Sequence, residues 1–179
     1  MNTCKKLIML MLAVAGSTFI AVADDKNLPE PENIGTVYSY NTTSNSLSAL
    51  EKQEASVGRS GWPIQKIVIH IPEPNAPLRL IVGQKMVFVV SLPNGVDPSK
   101  YQLIRFDTKG KERIAVPKQA TWSGEKSNPV YLTFNVGKFG DSYKFTPSPD
   151  LSAGEYGFSA TDSNDTYCFG VDASDSGKN

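Results

Sequence analysis

Apolar and polar residues alternate with a period of two along much of the chain beyond residue 33. In the segment KIVIHIP (66–72), three isoleucines fall on one face and His70 falls on the other, and Pro72 ends the run. The segment VYLTFNV alternates in the same way. Successive side chains of a strand point to opposite faces of its sheet, so this period predicts strands. Turn-forming residues separate such runs at short intervals, and the pattern predicts about ten short strands.

Many short strands with frequent turns predict an all-β fold. We expect an antiparallel immunoglobulin-like β-sandwich over 34–172, with 34–57 as an N-terminal β-hairpin added to it. A helix over 47–55 competes with the second hairpin strand, because SLSALEKQEA begins with serine and contains good helix formers. The tail, 173–179, is expected to be mobile.

The N-terminus has the pattern of a secretory signal peptide. Two lysines precede an apolar run, and small residues end that run at Ala23, which predicts a signal peptide over 1–23. A retained membrane anchor is the alternative, but the run is short for a spanning helix. We therefore expect a periplasmic or secreted protein with no transmembrane segment after cleavage. Residues 24–33 are charged and contain proline, which predicts an extended leader arm.

The charge of the chain argues against nucleic acid as a partner. The 179 residues hold 18 basic and 18 acidic side chains. Removal of the leader takes away Lys5 and Lys6, which leaves 16 basic against 18 acidic residues. Nucleic-acid and anionic-membrane binding both depend on an excess of positive charge. The length suits one domain.

Removal of the leader also removes Cys4 and leaves Cys168 as the remaining cysteine. Cys168 can then be a reactive thiol, a bridge to another chain, or a small buried hydrophobe. It lies in an aromatic, strand-like run with no basic neighbour to activate it, which favours a buried, inert thiol. Cys168 and Gly170 share one face of the predicted last strand, where small residues suit close approach by a neighbour. A larger side chain at Cys168 would overpack that site.

Candidate chemistry is sparse elsewhere. His70 is the single histidine, and its polar position predicts an exposed strand residue. Zinc needs more His and Cys ligands than the mature chain offers. The segment 162–166 (DSNDT) has oxygens that calcium accepts, but a β-turn has the same composition and is the preferred interpretation. Glu155 is expected to be an exposed edge residue or a carboxylate that anchors a loop. No cofactor or metal is predicted.

Two tryptophans are the candidate partner-binding residues. Trp62 and Trp122 lie in loops beside glycines. Such tryptophans either stack on a glycan or anchor a protein partner, or they fold back as lids on the core. Edge strands, with KIVIHI (66–71) as the example, are a second route to a partner, because an extended segment can add to an open sheet edge.

Three stretches carry a resemblance: Ile34–Gln53, Val87–Ile114 and Leu151–Asp172, the last closing with G-E-Y…F-G-V-D. Together they resemble bacterial exported or envelope proteins of unknown function with a C-terminal β-domain of that pattern. The chain has Ala153 where the pattern often has proline. The resemblance implies export and a β-rich fold, and it transfers no catalytic residue.

We therefore expect an exported, non-catalytic module that binds an envelope protein or a glycan. The alternative is a structural subunit of a cell-surface assembly, completed by another chain at Cys168 or at an edge strand. A metal-free glycan hydrolase is the third hypothesis, and it would need two facing carboxylates that the sequence does not identify.

Overall fold

The computed structural model describes most of the chain after the predicted leader. The signal peptide predicted at 1–23, the two candidate tryptophans Trp62 and Trp122, and the last residues of the tail lie outside the described residues. Within the described part, regular structure is β, apart from one 3₁₀ turn at Pro98–Lys100. No helix there has the length and the apolar character needed to cross a membrane. The described ranges are 28–61, 66–121, 124–127 and 130–174.

Fifteen strands form the described part of the chain, more than the ten or so that the pattern predicts. The excess arises because long extended runs are divided where the chain passes from one sheet to another, and because short strands form beside them. The strands are β1 (Val37–Asn41), β2 (Ser46–Ala49), β3 (Glu51–Glu54), β4 (Ser56–Ser60), β5 (Lys66–Pro72), β6 (Arg79–Ile81), β7 (Phe88–Val90), β8 (Tyr101–Lys109), β9 (Glu112–Thr121), β10 (Gly124–Ser127), β11 (Tyr131–Leu132), β12 (Phe134–Phe139), β13 (Ser142–Pro147), β14 (Gly154–Ala160) and β15 (Asp165–Asp172).

The first sheet has five antiparallel strands in the order β12-β13-β7-β1-β2. Strands β1 and β2 form a hairpin over 37–49, with Asn41 paired to Ser46, whereas the remaining strands of the stretch predicted as a hairpin (34–57) pair in the other sheet. The side-chain oxygen of Asn41 accepts hydrogen bonds from the backbone N–H groups of Thr43 and Ser44, which stabilises the turn. Val37 in β1 is fully buried, so the hairpin contributes to the core of the sandwich.

The second sheet has ten strands and a main path of β3-β15-β14-β8-β9-β5-β4. Its long strand β8 changes partner along its length: Tyr101–Phe106 pairs with β14, and Asp107–Lys109 pairs with β9. Most neighbours are antiparallel, and the short strand β6 runs parallel to β15. The change of partner in β8 separates the sheet into an inner half, β3-β15-β14-β8, and an outer half, β9-β5-β4.

Within the inner half, β14 and β15 are buried on both faces, between two apolar clusters. The first cluster fills the space toward the five-stranded sheet, where the ring of Phe88 in β7 lies 4.5 Å from Phe169 and 5.0 Å from Phe158. The second joins the inner half to the outer half and includes Cys168, Phe106 and Ile71. Because successive residues of a strand face opposite ways, Phe169 and Cys168 enter different clusters. The chain is thus an all-β, antiparallel, sandwich-like fold.

Candidate functional site

One continuous stretch, residues 46–60, supplies three outermost strands, and we call it the edge ribbon. Strand β2 is an edge strand of the five-stranded sheet, while β3 and β4 are the two edge strands of the main path of the ten-stranded sheet. Only Leu50 and Ala55 separate these three strands. Within the described part of the chain, no strand pairs with their outer sides. The edge ribbon therefore presents unpaired backbone groups at the edges of both sheets.

The two bends of the edge ribbon attach it to the core. Leu50 and Ala55 are buried, and their N–H groups donate to the carbonyls of Val37 (2.9 Å) and Asn164 (2.8 Å). Most of the other residues of the edge ribbon are exposed, and Val57 in β4 is 65% exposed. The ribbon thus has a fixed backbone and an accessible outer edge.

This arrangement corrects the prediction that KIVIHI (66–71) is an edge strand. That segment forms most of β5, which pairs with β4 on one side and with β9 on the other. Alternation shows that a segment is a strand, but it does not show how many neighbours the strand has. The open edge belongs to β4, whose sequence SVGRS alternates poorly.

A fully buried arginine forms an ion pair with β3, the middle strand of the edge ribbon. Arg113 in β9 places Nη2 at 3.1 Å from Oε2 of Glu51, a residue of β3. The same guanidinium donates to the carbonyls of Pro72 and Glu73, at 3.1 Å and 3.0 Å. Glu73 has a positive φ of 64°, a conformation unusual for a residue with a side chain. Arg113 therefore links the ribbon to the loop after β5, and its own charge is balanced inside the fold.

A second carboxylate, Glu155, lies beside this arginine. Glu155 is buried, accepts the N–H of Ala76 at 2.9 Å and forms an ion pair with Arg79. Its Oε2 is 3.8 Å from Nη1 of Arg113. Of the two roles expected for Glu155, the loop-anchoring carboxylate is confirmed and the exposed edge residue is wrong. The reason is that the segment after β5 folds over Glu155 at the start of β14.

The close approach expected at Gly170 is made by Arg79. A Cβ added at Gly170 would overlap the guanidinium of Arg79, so any other residue would require this side chain to move. Arg79 also binds Asp172 through Nη2, at 2.6 Å. Hydrogen bonds from Arg79 lower the pKa of Asp172 below its usual value. Arg79 thus fastens the segment that contains β6 to the last strand.

An open groove of about 810 Å³ lies beside the edge ribbon and contains the single histidine. His70 is about one-third exposed, and its Nδ1 lies 3.0 Å from Oε2 of Glu112. His70 lies in a strand, as predicted, but it is half-buried and not exposed. His70 faces Ile114 on β9, and Glu112 is the diagonal neighbour of that pair.

The thiol of Cys168 is buried as predicted, and burial outweighs the charge of Arg113, which acts to lower the pKa of the thiol. Its Sγ lies 3.7 Å from the carbonyl oxygen of Thr166. Burial raises the pKa of Cys168 to about 12, which keeps the thiol protonated at neutral pH. Since Cys168 is buried, an intermolecular disulfide at this residue is excluded for the folded chain.

We expect the thiol of Cys168 to resist a bulky maleimide at pH 8 in the native protein. A pKa of about 12 leaves roughly one thiol in ten thousand ionised at that pH, and burial blocks the reagent as well. In a Cys4→Ser background, mass spectrometry should show modification only after denaturant is added. Complete native labelling within minutes would show that this strand opens readily.

The acidic turn 162–166 is engaged within the protein. Asp162 lies 3.3 Å from Lys100, and Asp165 lies 2.8 Å from Lys52 of the edge ribbon. The N–H of Asp165 donates a hydrogen bond to Ser163 Oγ at 3.0 Å. These contacts support the turn interpretation. The described residues hold no group of three or more His, Cys, Asp or Glu side chains able to bind a metal ion.

The candidate residues Trp62 and Trp122 lie outside the described residues, but the strands that lead into them are described. Strand β4 ends two residues before Trp62, and β9 ends immediately before Trp122. Ser60 of β4 pairs with Lys66 of β5, and Lys66 pairs with Gln119 of β9. These strand ends therefore lie at one end of the outer half of the sheet.

Sequence reasoning missed the two arginines that organise this region. Arg113 occurs in ERIAV, where an alternating pattern gives it an ordinary polar position. Arg79 occurs in a short segment between prolines and glycine, which has no strong pattern. No local signal distinguishes a buried arginine, because its burial depends on carboxylates contributed by distant strands.

Comparisons of the chain with models of protein families, with curated proteins and with solved structures find no match. No activity, partner or substrate follows from them. The function of the chain has to be inferred from the geometry of the edge ribbon and the clefts beside it.

Proposed function

We propose that the chain is an exported, non-catalytic binding module that pairs with an extended segment of an envelope protein along the edge ribbon. The observation that carries this proposal is the succession of three outermost strands, β2, β3 and β4, in one stretch of chain. An extended peptide can add to such an edge through main-chain hydrogen bonds, while its alternate side chains contact the neighbouring surface.

The edge ribbon is energetically suited to the addition of a further strand. Each main-chain hydrogen bond contributes about 0.5–1.5 kcal/mol net, so several are needed for a stable complex. The ribbon is already ordered by Leu50, Ala55 and Arg113, and this lowers the entropy cost of binding. Only the partner segment has to become ordered.

Strand β4 is the part of the ribbon best suited to a protein partner. Its outward residue Val57 is 65% exposed and offers an apolar contact. Trp62 follows shortly after β4, and we propose that it and Trp122 anchor the partner at the end of the sheet. Arg59 and the bends of the ribbon would disfavour indiscriminate pairing, because charge and short length protect edge strands from aggregation.

Export is part of the same proposal. The predicted signal peptide over 1–23 and the resemblance of Ile34–Gln53 and Leu151–Asp172 to exported bacterial proteins both support a periplasmic or secreted location. Under this proposal the partner is another envelope component.

Affinity capture from an envelope extract tests the proposed surface. We expect the unmodified protein to retain a partner, and we expect Val57→Lys to reduce that capture at least tenfold, because a charge at the open edge opposes strand pairing. Val136→Lys is the matched control: Val136 is also an exposed valine, on the edge strand β12 of the other sheet. Capture that survives Val57→Lys and fails with Val136→Lys would contradict the assignment to β4.

A structural subunit of a surface assembly is the second candidate, and one observation favours it. The five-stranded sheet ends in β2 on one side and in β12 on the other, with no further strand on either side among the described residues. A β12 edge from one copy could then pair with a β2 edge of the next copy. Light scattering at increasing protein concentration tests this, and a monomer at all concentrations would contradict it.

A further inference from the structure

A second cleft, with a volume of about 530 Å³, opens between the β1–β2 hairpin and the segment 78–87, and we call it the hairpin cleft. Its volume lies within the range of small-molecule sites. It differs in position and lining from the groove that contains His70. The inference drawn from it does not depend on the proposed function.

The lining of the hairpin cleft is mostly polar, with a hydroxyl- and amide-rich rim above a smaller apolar floor. Leu78, Leu80, Met86 and Val87 line it and are buried or half-buried. The rim carries exposed polar side chains, namely Asn41, Thr42, Thr43, Ser48 and Gln84. Such side chains both donate and accept hydrogen bonds, as a ligand rich in hydroxyl groups requires.

The charge of the hairpin cleft is positive and largely due to one residue. Its charged lining residues are Arg79 and Lys85, and no Asp or Glu lines it within the described part of the chain. Arg79 is balanced by ion pairs with Glu155 and Asp172. Lys85 is exposed and forms no ion pair with the residues that the structure describes. An anionic group placed in the hairpin cleft would therefore meet an uncompensated ammonium group.

The rim is preformed by contacts within the hairpin. The side-chain carbonyl of Asn41 is occupied by the N–H groups of Thr43 and Ser44, which leaves its amide NH₂ to donate to a ligand. Tyr40 is fixed by a hydrogen bond from its hydroxyl to Asn45 and by an edge-on contact with Phe139, 4.9 Å between ring centroids. A preformed rim limits the entropy cost of binding.

We propose that the hairpin cleft binds an acidic saccharide, a hydroxyl-rich ring that carries a carboxylate. The C–H faces of the sugar ring match the apolar floor, its hydroxyl groups match the rim, and its carboxylate lies near Lys85. A bare inorganic anion would use Lys85 alone and leave the floor uncovered.

Titration of the purified protein with methyl glucuronoside and with methyl glucoside tests this inference. The two probes differ only at C6, which is a carboxylate in the glucuronoside and a hydroxymethyl group in the glucoside, and heteronuclear NMR detects binding in the millimolar range. We expect the acidic probe to bind about tenfold more tightly, a difference of about 1.4 kcal/mol. The amide signals that shift should be those of 39–43 and 84–87. Equal binding of the two probes, or no binding of either, would overturn the proposal.

Substitutions in and around the hairpin cleft test whether the glucuronoside binds there. Lys85→Gln is expected to abolish the tenfold preference, and Asn41→Ala is expected to weaken both probes. Lys111→Gln, an exposed lysine beside the other groove, should leave both affinities unchanged. Inorganic phosphate that binds as tightly as the glucuronoside would show recognition of charge alone and would refute a saccharide site. Val57→Lys should leave both affinities unchanged. The saccharide titration can therefore succeed even if the partner-capture experiment fails.

Discussion

Replacement of Arg113 with methionine is expected to lower the free energy of unfolding by about 3–5 kcal/mol. Arg113 is fully buried, and its guanidinium holds Glu51 and two loop carbonyls. Its loss leaves the carboxylate of Glu51 without its cation and the carbonyls of Pro72 and Glu73 without a donor. Urea denaturation followed by circular dichroism measures the change.

Two further variants make this result specific. Lys111→Met changes an exposed lysine two residues away and should alter stability by no more than about 0.5 kcal/mol. Arg113→Met combined with Glu51→Gln removes the stranded charge as well and should recover part of the loss. If Arg113→Met alone cost less than about 1 kcal/mol, well below the loss expected for breaking a buried ion pair, the arginine would not be the anchor of the edge ribbon.

Truncation of Phe88 to alanine is expected to destabilise the fold by about 3–5 kcal/mol. Phe88 is fully buried in the five-stranded sheet and packs against Phe158 and Phe169 of the other sheet. The change removes apolar contact across the sandwich and leaves a cavity that rigid strands on both sides cannot close. Thermal and urea denaturation both measure it.

The matched control for this change is Tyr131→Ala in β11. Tyr131 is also aromatic and lies in a strand, but it is 46% exposed, so its truncation should cost about 1 kcal/mol or less. Similar losses from Phe88→Ala and Tyr131→Ala would contradict the packing of the two sheets around Phe88.

Several features of the fold could be predicted because they depend on neighbouring residues. The alternation in 66–72 predicts a strand, and the turn residues of 41–45 predict the hairpin that β1 and β2 form. The aromatic run around Cys168 predicts a buried thiol, and the structure confirms it. In these cases the burial pattern is repeated within a few residues, so it can be recognised in the sequence itself.

In the segment 47–55, pairing with other strands overrides a local preference for helix. Its composition suits a helix as well as a strand. In the structure, Glu51–Glu54 pairs with β15, and Ser46–Ala49 pairs with β1. The pairing with a distant strand satisfies the backbone and buries Leu50 between the sheets. A helix would leave the last strand without this neighbour.

The sequence by itself determined the strand character of the chain, the hairpin at its start and the burial of Cys168. Only the tertiary structure decided that β4, and not β5, is the open edge, and that Arg113 and Arg79 both lie beside the buried carboxylate of Glu155. The physical reason is the separation along the sequence between the residues that interact. Alternation records which side of a strand faces the interior, whereas strand order and the buried ion pairs depend on distant residues: Arg113 lies 62 positions from Glu51, and Arg79 lies 76 positions from Glu155. Such partners meet only when the whole chain has folded.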